Sequence, residues 1–391
     1  MQSVLFAHQS AELYGSDRVL LNVVCALDRT RFHPIVLLPA DGPLATALQE
    51  AGIETHVVEL VKIARSSFGP RNLLRNARAV RQSLRSINTV LAGRRPAVVY
   101  TNTVAVLGAA VWAWLHRAPH VWHVHEIVER PRVVSWGLTR LVSGLADAVL
   151  CNSSQTLDWV GDGRAASLAT STVVWNGIGP RPAMQPDQVA ALRHRMGASA
   201  DDIVVTLTGR INHWKGQTLF IDAASALVAR GQRGLRFAIV GGVVPGPTGQ
   251  QMLRDMLAHM AASPAAGSIT WIDFTPDVWP VWDATDIAVV PSTLPEPFGM
   301  VAIEAMAAGK PVVAAAHGGL VDIVADQVTG RLVPPNQAGA LADAIQQLVE
   351  SADLRTSMGA AGARRQQELF SLDAQVAAIT GTLARLAGPG A

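Results

Sequence analysis

Thirteen short, almost unbroken apolar runs, each giving way to a helical pattern, constrain this 391-residue chain more than anything else in it. In the first half the runs fall at 4–8, 34–38, 55–60, 97–102, 121–125, 148–152 and 172–175. In the second half they fall at 203–209, 236–240, 268–274, 287–291, 311–315 and 331–333. Their residues are apolar in succession rather than in alternation, the pattern of strands covered on both faces. Strands and helices taking turns in this way imply an α/β fold of doubly wound parallel sheets. Between 177 and 188 the stretch GIGPRPAMQPDQ gathers Gly and Pro and the periodicity lapses. The chain is also too long for one ordinary core. Two domains of similar size are therefore expected, residues 1–180 and 181–370, followed by a helix over 371–386.

Composition narrows the function classes. The net charge of +2 gives no global reason to bind nucleic acid. Cys25 and Cys151 are the only cysteines, which excludes a disulfide framework and suits a reducing compartment. The opening MQSVLFAHQ enters a strand-like run without a basic leader, and the longest uncharged apolar run, 104–115, falls short of a bilayer span. A cytoplasmic protein, soluble or peripheral on a membrane, is expected. Local charge says more. Between Glu59 and Glu126 there is no Asp or Glu but ten Lys and Arg. Arg71, Arg75, Arg78, Arg81 and Arg85 recur at helical spacing, opposite Leu73, Leu74, Ala77, Val80, Leu84, Ile87 and Leu91. Such a helix is either a solvated surface element or a docking face for an anionic membrane.

Ligands of open α/β sheets bind beyond the carboxyl ends of the strands, so the residues that follow each run matter most. After 287–291 comes STLPEPFGMVAIEAMAAGKP. A helix starting near Phe298 and Gly299 would expose the amides of Gly299 and Met300 at its positive end, an anion seat that a glycine lets a phosphate approach. Glu296 before it and Glu304 within it would accept hydrogen bonds from sugar hydroxyls on either side. An ordinary loop-to-helix junction would carry the same residues, and spacing alone leaves both readings open. After 203–209 come Arg210 and, five residues on, Lys215, two cations suited to a diphosphate. After 4–8, Gly15 and Ser16 open a helix, giving a second backbone approach to phosphate. No G-x-G-x-x-G is present there, which argues against a nicotinamide dehydrogenase. The run 121–125 ends in HVHEI, with His123 and His125 on one face; His125 is placed to meet a sugar and His123 to be a satisfied core histidine. With no remote ligand cluster and no D-x-D, no metal is expected.

The long block PEPFGMVAIEAMAAGKPVVAAAHGG resembles the E-x7-E signature of glycosyltransferase family 4, enzymes of the GT-B fold with two Rossmann-like domains facing across a cleft. GR-INHW-KG resembles that family's Arg/Lys phosphate pair, LYGSDRVLL its first glycine loop, and ADAVLCNSSQT and WNGI its later landmarks. The resemblance spans nearly the whole chain in the right order. It implies a retaining enzyme that moves a hexose from a GDP- or UDP-sugar, without metal or other cofactor. By position, Glu296 would hold the donor sugar, helped by the amides of Phe298 and Gly299, and Glu304 the ribose. Arg210 and Lys215 would hold the diphosphate, assisted by Gly15 and the Gly299–Met300 amides, and His125 would sit near donor sugar and acceptor. Retention is usually explained by front-face attack, the leaving phosphate taking the acceptor's proton.

The first loop departs from the family's Gly-Gly, reading Tyr14-Gly15-Ser16; IVGGVVPG and Phe274-Thr275-Pro276 depart as well. These differences bear on base and sugar, not on reaction class. The N-terminal domain is expected to bind the acceptor, a lipid-linked glycan of bacterial lipopolysaccharide, O-antigen or exopolysaccharide synthesis. The helix over 371–386 is expected to return to that domain. Two other readings share the features: a sugar-nucleotide 2-epimerase, and a non-catalytic nucleotide-sugar-binding partner.

Overall fold

The computed structural model describes residues 1–13, 15–61, 73–128, 130–161 and 171–388. It separates into two compact units, Met1–Gly179 with Ser371–Ala391, and Pro180–Phe370.

Unit 1 is built on a parallel sheet, in the order β3-β2-β1-β4-β5-β6-β7 among the described residues. Its strands are β1 (Gln2–Ala7), β2 (Phe32–Leu38), β3 (Glu54–Val57), β4 (Val98–Asn102), β5 (His120–Val124), β6 (Ala148–Cys151) and β7 (Ser171–Val173). The helices between them are α1 (Gly15–Ala26), α2 (Pro43–Glu50), α3 (Leu73–Leu91), α4 (Gly108–His116), α5 (Arg132–Leu145) and α6 (Ser154–Gly161). Four of the six β1 residues, and all of β4, β5 and β6, are buried, as continuous apolar runs require once helices cover both faces. Leu5, Ile35, Val99, Ile87 and Trp112 share one core cluster; Trp122, Val124, Val142 and Val160 share another. Each such side chain stabilises by about 1.5–3 kcal/mol when fully buried.

Unit 2 repeats the plan with β8 (Ile203–Thr208), β9 (Leu235–Val240), β10 (Ile269–Ile272), β11 (Ile287–Val290), β12 (Val312–Ala315) and β13 (Gly330–Val333), ordered β10-β9-β8-β11-β12-β13. Phe220, Phe237, Ile239, Val289 and Leu341 anchor its largest core cluster. Each of the thirteen apolar runs overlaps a strand, the ends differing by at most three residues.

At Ser371 the chain enters the helix Leu372–Ala387, which belongs to unit 1. Ser371 caps it by accepting from the Ala374 amide at 3.3 Å. The Leu372 amide donates to Ile178 O at 2.9 Å, and Gln375 Oε1 accepts from the Gly177 amide at 2.9 Å. At its far end Gln2 Nε2 donates to Gly388 O at 3.2 Å.

The basic helix is present as α3. Arg78, Arg81 and Arg85 are exposed along it, with Ile87 and Leu91 buried. Arg71 and the side chains of Leu73, Leu74 and Arg75 lie outside the described residues. Ala77, expected on the apolar side, is exposed. Among the described residues no helix is long and apolar enough to cross a membrane.

Candidate functional site

In unit 2 the loops after β8, β11 and β12 gather the side chains picked out above. Asn212 Oδ1 accepts from the amides of Trp214 and Lys215 at 3.0 and 2.9 Å, folding the loop after β8 so that Lys215 turns back over Gly209. The Thr293 amide donates to Trp214 O at 2.7 Å, tying that loop to the one after β11. Lys215 Nζ then meets Glu296 Oε1, with Nζ also 4.5 Å from the centroid of the Trp214 ring. Ser292 Oγ donates to Glu296 Oε2 at 2.7 Å, so both carboxylate oxygens are engaged. His317 Nε2 in turn donates to Ser292 O at 2.7 Å, which fixes its tautomer.

The backbone of Glu296 is held as firmly as its carboxylate. Gly319 N donates to Glu296 O at 2.7 Å, and the chain at Gly318 passes so close that a Cβ there would lie 2.2 Å from the same oxygen. Gly318 also has φ +64, a conformation that costs other residues. The His-Gly-Gly after β12 is thus what seats Pro-Glu-Pro-Phe-Gly. Glu296 and Lys215 have side chains only 8% and 15% exposed, which makes their pairing a costly arrangement for stability alone.

Gly299, at φ +121, precedes the helix Met300–Ala307, whose first amides face away from the helix. The Phe298 side chain is core, 6.0 Å from the Phe370 ring in edge-on contact, so only its amide is left for a ligand. Glu304 lies one turn inside this helix, partly buried and engaged with a neighbour. Arg210 is exposed beyond β8, its carbonyl accepting from Gln217 Nε2 at 3.0 Å.

In unit 1, Gly15 and Ser16 open α1 at the strand-end edge. A Cβ at Gly15 would meet nothing within 4 Å, so the protein itself does not require glycine there. His125 lies one residue beyond β5 and is buried, with Nε2 2.9 Å from Asn102 Oδ1. Burial, and the neighbouring His123 and His8, hold its pKa well below the ordinary histidine value. His123 is buried as expected, but only half satisfied. Its Nδ1 meets the Tyr100 hydroxyl at 2.6 Å, while Nε2 is sealed without a partner among the described residues. Its ring lies 4.0 Å, between centroids, from the tilted ring of His125. Glu126 Oε2 accepts from the amides of Val104 and His125 at 3.1 and 3.2 Å, and burial pushes its carboxyl up to about 7. Among the described residues no three His, Cys, Asp or Glu side chains converge as a metal site.

Sequence reasoning did not single out Ser292, His317, His8, Asp17 or Asn102. A signal was present for two of them. The apolar runs 4–8 and 97–102 end in His8 and Asn102, polar residues closing buried strands as His125 does.

Twin doubly wound sheets of this order, with polar side chains collected past their strand ends, define the GT-B class of architecture. Residues 190–365 match the family model "Glycosyl transferases group 1" and residues 14–181 match "Glycosyltransferase Family 4". The chain belongs to glycosyltransferase family 4, and its fold is GT-B. It is 33% identical over 236 residues to a D-inositol 3-phosphate glycosyltransferase of Kribbella flavida, covering 57% of this chain and 53% of that one. To the protein of the same name in Rhodococcus jostii it is 38% identical over 194 residues, covering 48% and 41%. The chain thus matches about half the length of these curated relatives. Among solved structures, Anabaena HepE in complex with UDP and glucose superposes with a TM-score of 0.82 at 25% identity, over 98% of this chain and 99% of that one. A glycosyltransferase from Rickettsia africae shares the fold, with a TM-score of 0.81 at 18% identity over 100% and 99%.

Proposed function

We propose that the chain is a retaining hexosyltransferase that takes its sugar from a UDP-hexose bound by unit 2. The observation that carries this reading is the buried Lys215–Glu296 pair, held by Ser292 and by the His317-Gly318-Gly319 turn beside the amides of Gly299 and Met300. A phosphate at those amides would draw on Lys215 and Arg210, and Glu296, released from Lys215, would accept from sugar hydroxyls. Glu304 holds the ribose on this reading. The choice of UDP rests on HepE, whose structures include complexes with UDP and with UDP-glucose. No metal takes part; the departing phosphate receives the acceptor's proton on the face from which the acceptor attacks.

Unit 1 binds the acceptor, a lipid-linked glycan at the inner surface of the cytoplasmic membrane. Support for the membrane part is the carboxylate-free helix α3 with Arg78, Arg81 and Arg85 exposed. A phosphorylated polyol acceptor is a second reading, favoured by the names of the curated relatives.

The test is a thermal-shift panel of UDP-, GDP-, ADP- and dTDP-hexoses, followed by transfer assays with a lipid-linked glycan and with inositol 3-phosphate. UDP-hexose alone should raise Tm, and Lys215→Ala should abolish the rise. Stabilisation by none of the four sinks the donor assignment; turnover of the donor without acceptor would mark an epimerase.

A further inference from the structure

Three neighbouring strands of unit 1, β1, β4 and β5, end in side chains joined in a single file of hydrogen bonds. Asp17 Oδ1, from the first turn of α1, lies 2.6 Å from His8 Nε2. His8 Nδ1 lies 2.9 Å from Asn102 Nδ2, and Asn102 Oδ1 lies 2.9 Å from His125 Nε2. All four residues are buried, from 0% exposure at His8 to 7% at His125.

The direction of this file follows from valence. A carboxylate only accepts, so His8 carries a proton on Nε2, and in its neutral form it presents a lone pair at Nδ1. That lone pair needs a donor, which turns the Asn102 amide nitrogen toward His8 and its oxygen toward His125. The amide oxygen only accepts, so His125 carries its proton on Nε2. Nδ1 of His125 is then left as a lone pair. It meets no hydrogen-bond partner among the described residues. With His8 neutral, reversing the amide would set the lone pairs of Asn102 Oδ1 and His8 Nδ1 against each other. Apolar residues would fill these strand ends at less cost than a buried polar file, which is tolerable only because each of its inner contacts is satisfied.

We infer that Asp17, His8 and Asn102 are positioning residues: they hold His125 as the neutral Nε2–H tautomer, so that Nδ1 is presented as an acceptor to a hydroxyl group of the bound substrate. The inference deepens the transferase reading, on which it depends for the identity of that hydroxyl's owner, a sugar. His123 backs the ring from behind at 4.0 Å, and Tyr100 holds His123 in turn. A neutral imidazole so held orients a hydroxyl by accepting from it. No protein group need take the proton away, in keeping with a leaving phosphate that does so.

The test is the proton–nitrogen correlation spectrum of the imidazoles in the full chain with isotope-labelled histidine, near neutral pH. His8 and His125 should both show the Nε2–H tautomer. Asp17→Asn and Asn102→Ala should give mixed tautomers at His125, whereas Asn102→Asp, which keeps an acceptor facing Nε2, should restore the single one. With UDP-hexose as donor, the first two variants should lower kcat roughly ten- to a hundredfold, with KM for the donor little changed. A His125 protonated on Nδ1 or mixed in the unaltered protein overturns the inference, and that spectrum needs no variant to fold. So does a tautomer and kcat unmoved in both Asp17→Asn and Asn102→Ala. The stated tautomers in a protein that no nucleotide sugar stabilises would uphold the positioning and sink the donor reading instead.

Discussion

The two units share a strand order yet arm the same edge of the sheet differently. Past its strand ends unit 2 keeps a charged pair, Lys215 and Glu296, clamped by backbone and hydroxyl contacts. Unit 1 keeps an uncharged acceptor, His125, at the end of a file that reaches one carboxylate, Asp17. The contrast teaches that the doubly wound plan supplies positions and leaves their chemistry to the loops. A site for a diphosphate needs cations and amides, while one that orients a hydroxyl needs a fixed, neutral lone pair.

The largest expected effect falls on the charged side. Lys215→Ala or Glu296→Ala should cut transfer about 10²–10³-fold, as for the loss of an electrostatic contact at a developing charge. Each should also destabilise unit 2 by about 3 kcal/mol, because its partner is left buried and unpaired. The double change Lys215→Met with Glu296→Leu should recover most of that stability in denaturant melts and none of the activity. Recovery of both would show the pair to be packing only.

Backbone approach separates the units next. Gly318→Ala should destabilise by about 2 kcal/mol or more, since its Cβ would strike Glu296 O at a φ of +64. Gly15→Ala should change stability by no more than about 0.5 kcal/mol, its Cβ meeting open space, yet weaken UDP-hexose binding in a titration. Unchanged affinity would remove Gly15 from the phosphate site.

Acid should distinguish the units by a smaller margin. Burial depresses His120 to about 4 and His123 to about 3, and His125 lies well below 6.5. Below about 6.5 the unfolded chain therefore binds more protons than the folded one, and this contribution to stability is lost as the pH falls. Glu126, raised from 4.5 to about 7, acts in the opposite sense, its contribution being lost as pH rises through that window. Three histidines outweigh one carboxyl, so calorimetry from neutral pH down to about 4 should show unit 1 melting progressively earlier than unit 2. A single transition moving as one would break the comparison. Glu126→Gln should steepen the acid loss. The smallest effect belongs to the surface: Arg78→Glu with Arg81→Glu should weaken sedimentation with anionic vesicles at low salt and change stability by no more than about 0.5 kcal/mol.

Much of this was legible in the residues themselves. Thirteen apolar runs mark the thirteen strands among the described residues because a strand covered on both faces has no polar side to show. The E-x7-E block, Arg210 and Lys215 stand out because they follow strands at a Gly-punctuated edge. His8, Asp17 and Asn102 did not. They lie up to 94 residues apart and meet only because β1 and β4 are hydrogen-bonded neighbours, with Ala7 opposite Thr101. Ser292 and His317 are joined only by the adjacency of β11 and β12.

Local pattern and punctuation thus determine which segments are strands and which loops carry charge, since those depend on neighbours in the chain. Strand order decides the rest: that Lys215 meets Glu296, and that a carboxylate on the first helix governs which nitrogen of His125 bears a proton. Hydrogen bonds have direction, and that direction passes from strand to strand only once the sheet is assembled.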